Sequence, residues 1–383
     1  MNSAEAGPNR LVSIDALRGF IMLIMLVDHV RETIFLHMQV SDPVDAYRTS
    51  AALFFTRFTS TICAPTFIFL CGVSASFFQQ YHTFRETRVF LLKRGLFLIF
   101  LEVFVINTAW SQTWPPKMIY LQVIWCIGLC MIALAMCLTI PKRVLCVMGI
   151  IIIAMHNMLD FVSFSELALP KVIWSILHDR SVFEVSPFLS IKTSYPVLPW
   201  IGVILLGYTS AHLFQTRDAT VKRVHPLMIA GVTMLVLFLA LRLLNGYGDY
   251  PWKTHETLLQ NSMAFLSSTK YPPSLLFLLF TLGVSALIYV LIEKKASTLF
   301  IQRVAVFGSA PMFFYISHLY LLKVVYLFLV NIFGKNKGMY YGVDHVFFVW
   351  IMAILLVVPL FYITIKFANL KRRRRDITWL KYL

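Results

Sequence analysis

Long apolar runs constrain this chain more than any other feature. Ten can be drawn, at approximately 16–37, 58–79, 89–109, 119–138, 144–162, 197–214, 226–245, 273–292, 305–333 and 345–367. Crossing a bilayer takes roughly 17–25 residues of helix, and in lipid every backbone N–H and C=O must be satisfied within the segment. Such runs predict an all-α fold, a polytopic membrane helix bundle. Composition agrees: 59% of residues are hydrophobic and 14% charged, too little polar surface for a soluble globule. Pro, Gly and Trp clusters such as Trp114-Pro115-Pro116, Pro199-Trp200 and Pro272-Pro273 punctuate the spans, and the ninth run is long enough to tilt. No Ser/Gly linker divides the chain, which predicts one membrane domain over 1–383.

Charge placement predicts orientation. With the N-terminus inside, inner segments carry 20 Lys and Arg, seven of them from Lys366 to the C-terminus, against 10 in the outer loops. Short cytoplasmic loops are enriched in these residues, so both termini are expected in the cytoplasm. The net charge of +16 reflects this pattern, and no folded basic domain suggests nucleic acid. Met1 to Arg10 precedes a span holding Asp15 and Arg18 without a small-residue cleavage site, so no signal peptide is expected. All six cysteines fall in or beside apolar runs and read as apolar filler. The long loops, 38–57, 163–196 and 246–272, all fall outside. They suit either a substrate entrance or a simple cover for helix ends.

Ionisable residues inside a span are costly and point to function or tight pairing. The first span holds Asp15 and Arg18 near its inner end, then Asp28, His29, Arg31 and Glu32 further out. Arg18, Met22, Met25, His29 and Glu32 share roughly one helix face, and Asp28 can reach Arg31 or Glu32 one turn on. An interfacial ion-pair network accounts for Arg31 and Glu32, but less well for Asp28-His29, some 18 Å in from residue 16. His318, mid-span in the ninth run, is a second intramembrane imidazole, functional or simply bonded to a neighbouring carbonyl. Glu102 is a candidate partner for a basic residue such as Arg18. His156 and Asp160 share a face as a metal pair would, but no third ligand is visible, and no metal is expected. Nucleotide-binding loops, HExxH and Gly-x-Ser-x-Gly do not occur in the sequence.

The run RLVSIDALRGFIMLIMLVDHVRE, followed by FFTRFTSTICAPTFIFLCGVSASFF, resembles the catalytic-domain family of heparan-alpha-glucosaminide N-acetyltransferase, particularly its shorter bacterial members. YPVLPWIGVILLGY at 195–208, KYPPSLLFLLFTLG at 270–283 and FGSAPMFFYISHLYLL at 307–322 extend the likeness in order along nearly the whole chain. The resemblance implies transfer of an acetyl group from cytosolic acetyl-CoA to an amine on the far side of the membrane. In the family the catalytic histidine belongs to the segment between the first two spans, and an asparagine near the end of the first span assists. His37 falls about where that histidine does, and His29 about where that asparagine does. No counterpart of the lysosomal enzyme's luminal N-terminal domain is expected, so its sugar is not carried over.

The expectation is therefore an acyltransferase of the bacterial inner membrane. It would move an acetyl or short acyl group from acyl-CoA to an amine or hydroxyl of an extracytoplasmic glycan, with the lipid bilayer as surroundings and a homo-oligomer open. His29 is the expected general base, oriented by Asp28 or Glu32 with His318 across the cavity, and His37 is the alternative base. Arg18, Arg94 and Arg303 are the candidates for the CoA phosphates, although each also obeys the positive-inside bias. A transporter for a small polar or lipid-linked solute is the runner-up, though the internal repeat common in transporters is not evident. A catalytically silent scaffold would leave Asp28-His29 unexplained.

Overall fold

The computed structural model describes residues 12–111, 113, 115–164, 169–214, 220–374, 376–377 and 380. In chain order the helices are α1 (Val12–Ile34), α2 (Ala51–Thr59), α3 (Cys63–Gln79), α4 (Phe84–Phe100), α5 (Asn107–Trp110), α6 (Val123–Cys137), α7 (Lys142–Met155), α8 (Leu169–Leu177), α9 (Leu198–Ser210), α10 (Thr220–Leu244), α11 (Leu258–Leu266), α12 (Leu275–Lys294), α13 (Leu299–Gly308), α14 (Pro311–Phe333) and α15 (Val346–Arg373). A 3-10 turn, Ser60–Ile62, joins α2 to α3, and a π-helical stretch, Leu101–Ile106, carries α4 into α5. Arg10, Arg217, Arg375 and Lys381, counted above for orientation, and Trp114 lie outside the described residues, as does the leader reading at Met1 to Arg10.

Each of the ten apolar runs has a helical counterpart, but the bundle is less regular than ten equal rods. Six helices among the described residues are long and apolar enough to cross a membrane: Ala51–Gln79, Lys142–Leu159, Val224–Leu244, Leu275–Lys294, Pro311–Phe333 and Val346–Arg373. The others depart for local reasons. α1 is long, but Asp15, Arg18, Asp28, Arg31 and Glu32 interrupt its apolar character. The run through α4 carries Arg85, Glu86, Arg88, Lys93, Arg94 and Glu102. Val123–Cys137 and Leu198–Phe214 are simply shorter. The ninth run is not one tilted rod: it breaks at Ser309-Ala310, between α13 and α14. Pro311 explains the break, because the residue before a proline is steered away from helical geometry, and Ala310 indeed has φ −139° and ψ 64°.

α1 is the hub. It packs against α3, α12, α13, α14 and α15, and Ile21, Met22, Leu26, Val30 and Ile34 are fully buried. Two glycine crossings set how closely the helices approach. A Cβ on Gly19 would sit 2.0 Å from the Val304 carbonyl oxygen, and one on Gly308 1.9 Å from that of Asp15. At the α3–α9 crossing, a Cβ on Gly207 would lie 2.0 Å from the Phe69 oxygen. Small residues allow this approach, which substitutes for a hydrophobic drive that lipid does not supply between apolar helices.

The expectation of helix alone is corrected between spans and at the start of the fourth run, where residues 119–121 are strand and helix begins only at Val123. Strands β1 (Met118–Leu121), β2 (Val182–Ser186) and β3 (Leu189–Thr193) form a small sheet in the order β1-β3-β2, with β3 parallel to β1 and antiparallel to β2. Short helices, α8 and α11, also lie in the expected loops 163–196 and 246–272. Arg242, near the end of α10, fastens the latter: buried, it donates to the carbonyls of Tyr250, Ala264, Phe265 and Ser267.

Gly19→Val and Gly207→Val are expected to prevent folding, because backbone oxygen rather than a movable side chain fills the space. Size-exclusion profiles and thermal unfolding in detergent check this, with Leu355→Val on the exposed face of α15 as a control that should unfold like the wild type.

Candidate active site

A cavity of about 2750 Å³ runs through the bundle, lined by residues from the start of α1 to the segments beyond its end. Its two ends follow from the helix directions. Val343 donates its backbone N–H to Ile34 O, and Trp350 its indole N–H to Thr56 Oγ1. α15 thus begins beside the end of α1 and descends alongside it, so its cavity-lining Lys371 lies towards the Arg18 end.

One imidazole, His29, lines the cavity between its two ends, and a second, His318, is buried against it without lining the cavity. His29 Nδ1 lies 2.6 Å from His318 Nε2, with the rings nearly parallel at 12° and centroids 4.9 Å apart. His318 is fully buried on α14, and its Nδ1 lies 2.9 Å from Phe314 O. That bond fixes the proton pattern. A carbonyl only accepts, so His318 Nδ1 carries the hydrogen and its Nε2, in the neutral ring, accepts. His29 Nδ1 must then be the donor, which leaves the lone pair on His29 Nε2. No hydrogen bond to that Nε2 is found among the described residues, and His29 lines the cavity. Trp110 and Tyr315 stand edge-on to the His29 ring at 5.3 and 5.8 Å. Both line the cavity, and their buried Nε1 and OH have no hydrogen-bond partner among the described residues.

Asp28 and Glu32 do not orient His29, contrary to expectation. Arg31, 2% exposed, donates through Nε to Asp28 Oδ1 at 3.0 Å and also pairs with Glu32. The other Asp28 oxygen takes Arg57 Nη1 at 3.3 Å. The arginines absorb both carboxylates, because two guanidiniums in an apolar bundle need counter-charges more than a neutral imidazole does. The partner of His29 is an imidazole instead. His37 also lines the cavity, but it lies past the end of α1 against Phe35, 4.8 Å between rings, and not in the pair.

Of the three arginines singled out, two line the cavity. Arg18 reaches Asp15 at 3.3 Å and Ser74 at 2.5 Å, and Arg94 lies over Phe90 at 5.9 Å. Beside them His82, Phe78 and Phe90 form a stack with centroid separations of 3.8 and 4.2 Å. Arg303 is corrected: it is exposed on α13, which turns Val304 and Gly308 towards α1, and it does not line the cavity. Glu102 is not paired with Arg18 either; its Oε2 accepts the backbone N–H groups of Ile124 and Trp125 at the start of α6.

The opposite end is rich in cations that no motif revealed. Lys117, Arg180, Lys192 and Lys270 line it, none in an ion pair among the described residues. Arg180 and Lys270 lie over the Tyr271 ring at 4.6 and 5.2 Å. Burial, and then the neighbouring Arg180, hold the Lys192 ammonium below its ordinary pKa. Asp42 accepts from the backbone N–H groups of Lys270 and Tyr271. The only signal in the sequence was an outer-loop basic content that the positive-inside bias does not explain.

The family model described as heparan-alpha-glucosaminide N-acetyltransferase, catalytic, matches residues 10–243, more than half of the chain. The chain belongs to this family. Membership in the heparan-alpha-glucosaminide N-acetyltransferase catalytic family, together with six apolar helices, makes it an integral membrane protein of an acetyltransferase family. The matched region contains His29, Arg18 and Arg94, while His318 lies beyond it on α14. No curated protein matches the chain.

Asp28→Leu leaves two guanidiniums in the bundle short of a counter-charge, and breaking a buried pair costs about 3–5 kcal/mol. It is expected to lower thermal stability strongly. A variant that stays as stable as the wild type and loses only catalysis would return Asp28 to the role of orienting His29.

Proposed function

We propose that this protein is a membrane acyltransferase that passes an acetyl or short acyl group from cytoplasmic acyl-CoA to an amine or hydroxyl of an extracytoplasmic glycan. It would act as a single domain of ten spans with both termini inside, in the bacterial inner membrane. The observation that carries the reading is His29, backed by His318 and lining one continuous cavity that has a basic group of side chains at each end.

The end holding Arg18, Arg94 and Lys371 suits the donor. Guanidiniums grip phosphate oxygens in pairs, and the Phe78–Phe90–His82 stack offers a flat surface for an adenine. Arg18 and His29 are eleven residues apart on one helix, about 16 Å, a distance that a pantetheine arm can cross to bring its thioester to the imidazole. The acceptor nitrogen or oxygen attacks the thioester carbon, and His29 Nε2 takes the proton it sheds. The carbonyl π electrons move onto oxygen, then return as the carbon–sulfur bond breaks and the thiolate of CoA departs. His318 holds His29 in the required tautomer and shares the imidazolium charge, the role a carboxylate plays in a triad. The unpartnered Trp110 N–H and Tyr315 O–H support a pair of donors to the developing oxyanion. At the other end, crowded cations suit an acceptor that carries acidic groups.

A transporter would share the through-going cavity, but would need neither a fixed tautomer nor idle donors beside it. The deciding experiment is acetyl-CoA turnover by purified protein with an amino-sugar acceptor. His29→Ala should lose ~10²–10⁴-fold in rate while still binding acetyl-CoA, and His37→Ala should keep most activity. Undiminished turnover in His29→Ala would overturn the reading, and loss only in His37→Ala would move the base to that residue.

For the donor end, Arg18→Ala and Arg94→Ala are expected to weaken acetyl-CoA binding by roughly tenfold each, the loss of one charge-assisted contact, and Arg303→Ala to leave it unchanged. Isothermal titration checks the three; equal losses in all would place the donor elsewhere.

A further inference from the structure

The sequence shows His156 and Asp160 without a third ligand, but the fold supplies one. α7 gives way after Met155 to a 3-10 turn, His156–Leu159, and the chain returns through α8, which brings His178 back over that turn. One ligand atom each from His156, Asp160 and His178 lie within 4.8 Å of one another. The two imidazoles meet edge to face, 5.7 Å between centroids. His178 Nε2 contacts Asp160 Oδ1 at 2.9 Å.

What remains unsatisfied points to a ligand. Among the described residues, His156 is 2% exposed and neither ring nitrogen makes a hydrogen bond of proper geometry, although the Pro273 carbonyl approaches the ring. His178 is 4% exposed, and its Nδ1 also lacks a partner among those residues. An imidazole placed only to fill space would leave buried polar atoms dry at a cost of about 1–3 kcal/mol each. We propose that His156, Asp160 and His178 form a binding site for a transition-metal dication of the zinc class, apart from the His29 cavity.

The donor set selects this class. Two imidazoles and one carboxylate suit zinc, whereas magnesium and calcium prefer oxygen alone. In a tetrahedral zinc site with bonds of roughly 2.0–2.1 Å the ligand atoms stand about 3.4 Å apart, so modest side-chain rotations would close the set, with water in the fourth position. The second shell is present: Asn157 Nδ2 holds the other Asp160 oxygen at 3.2 Å, and Asn157 Oδ1 accepts the backbone N–H of Leu275. A bound cation would therefore tie the end of α7 and the end of α8 to the start of α12. Because Arg180 and β2 follow His178 directly, it would also steady the sheet that carries Lys192 to the cavity mouth.

The test uses the full chain, purified in detergent, stripped with chelator and titrated with zinc chloride by calorimetry and thermal unfolding. One zinc per chain and a raised melting temperature are expected for the wild type. His156→Gln and His178→Gln should abolish both, and Asn157→Ala should weaken binding roughly tenfold. Stripped wild-type protein that takes up no zinc and melts unchanged in its presence overturns the proposal, as does binding that survives both histidine variants. Neither readout involves acyl transfer, so the site stands or falls independently of the catalytic reading.

Discussion

Everything in this structure depends on keeping a charged helix in the centre of an apolar bundle. α1 carries five ionisable side chains besides His29 and is packed on several sides by other helices, a setting in which unpaired charge is costly. The cost is met locally. Arg31 takes Asp28 and Glu32, Arg57 takes the remaining Asp28 oxygen, and Arg18 takes Asp15 and Ser74. Glycines at 19 and 308 let the neighbouring backbone come close enough to hold the helix firmly.

That settlement leaves one group on α1 without a charge partner. His29 is bonded to a second neutral imidazole, itself anchored to a backbone carbonyl. The chain of acceptors and donors runs in a single direction, from Phe314 O through His318 to His29, and ends with a lone pair facing the cavity. On the proposed reading, stability and chemistry are served by different residues on the same helix, and a substitution in one set should be distinguishable from a substitution in the other.

Much of the architecture was legible. Helix-length apolar runs located ten helical segments because the bilayer sets both length and polarity, and charges within the first and ninth runs marked His29 and His318 by their cost alone. What failed was pairing. Asp28 stands one residue from His29 and one turn from Arg31, and sequence spacing cannot show that Arg57, from the next helix, would claim its second oxygen. Arg303 looked equivalent to Arg18 and Arg94, but α13 turns Val304 and Gly308 towards α1 and leaves Arg303 exposed, away from the cavity lining. His178 was hidden for the opposite reason: it lies in an expected loop, and only the return of α8 over α7 brings it to His156.

The central claim is that one cavity joins two sides of the membrane at a histidine pair, so donor and acceptor need never share a compartment. Proteoliposomes holding the protein in one orientation, with acetyl-CoA on the side of the termini and an amino-sugar acceptor on the other, test it most directly. The account predicts acetylated acceptor opposite the donor and none when acetyl-CoA is confined to the acceptor's side. Product formed only when both substrates share one compartment would contradict it.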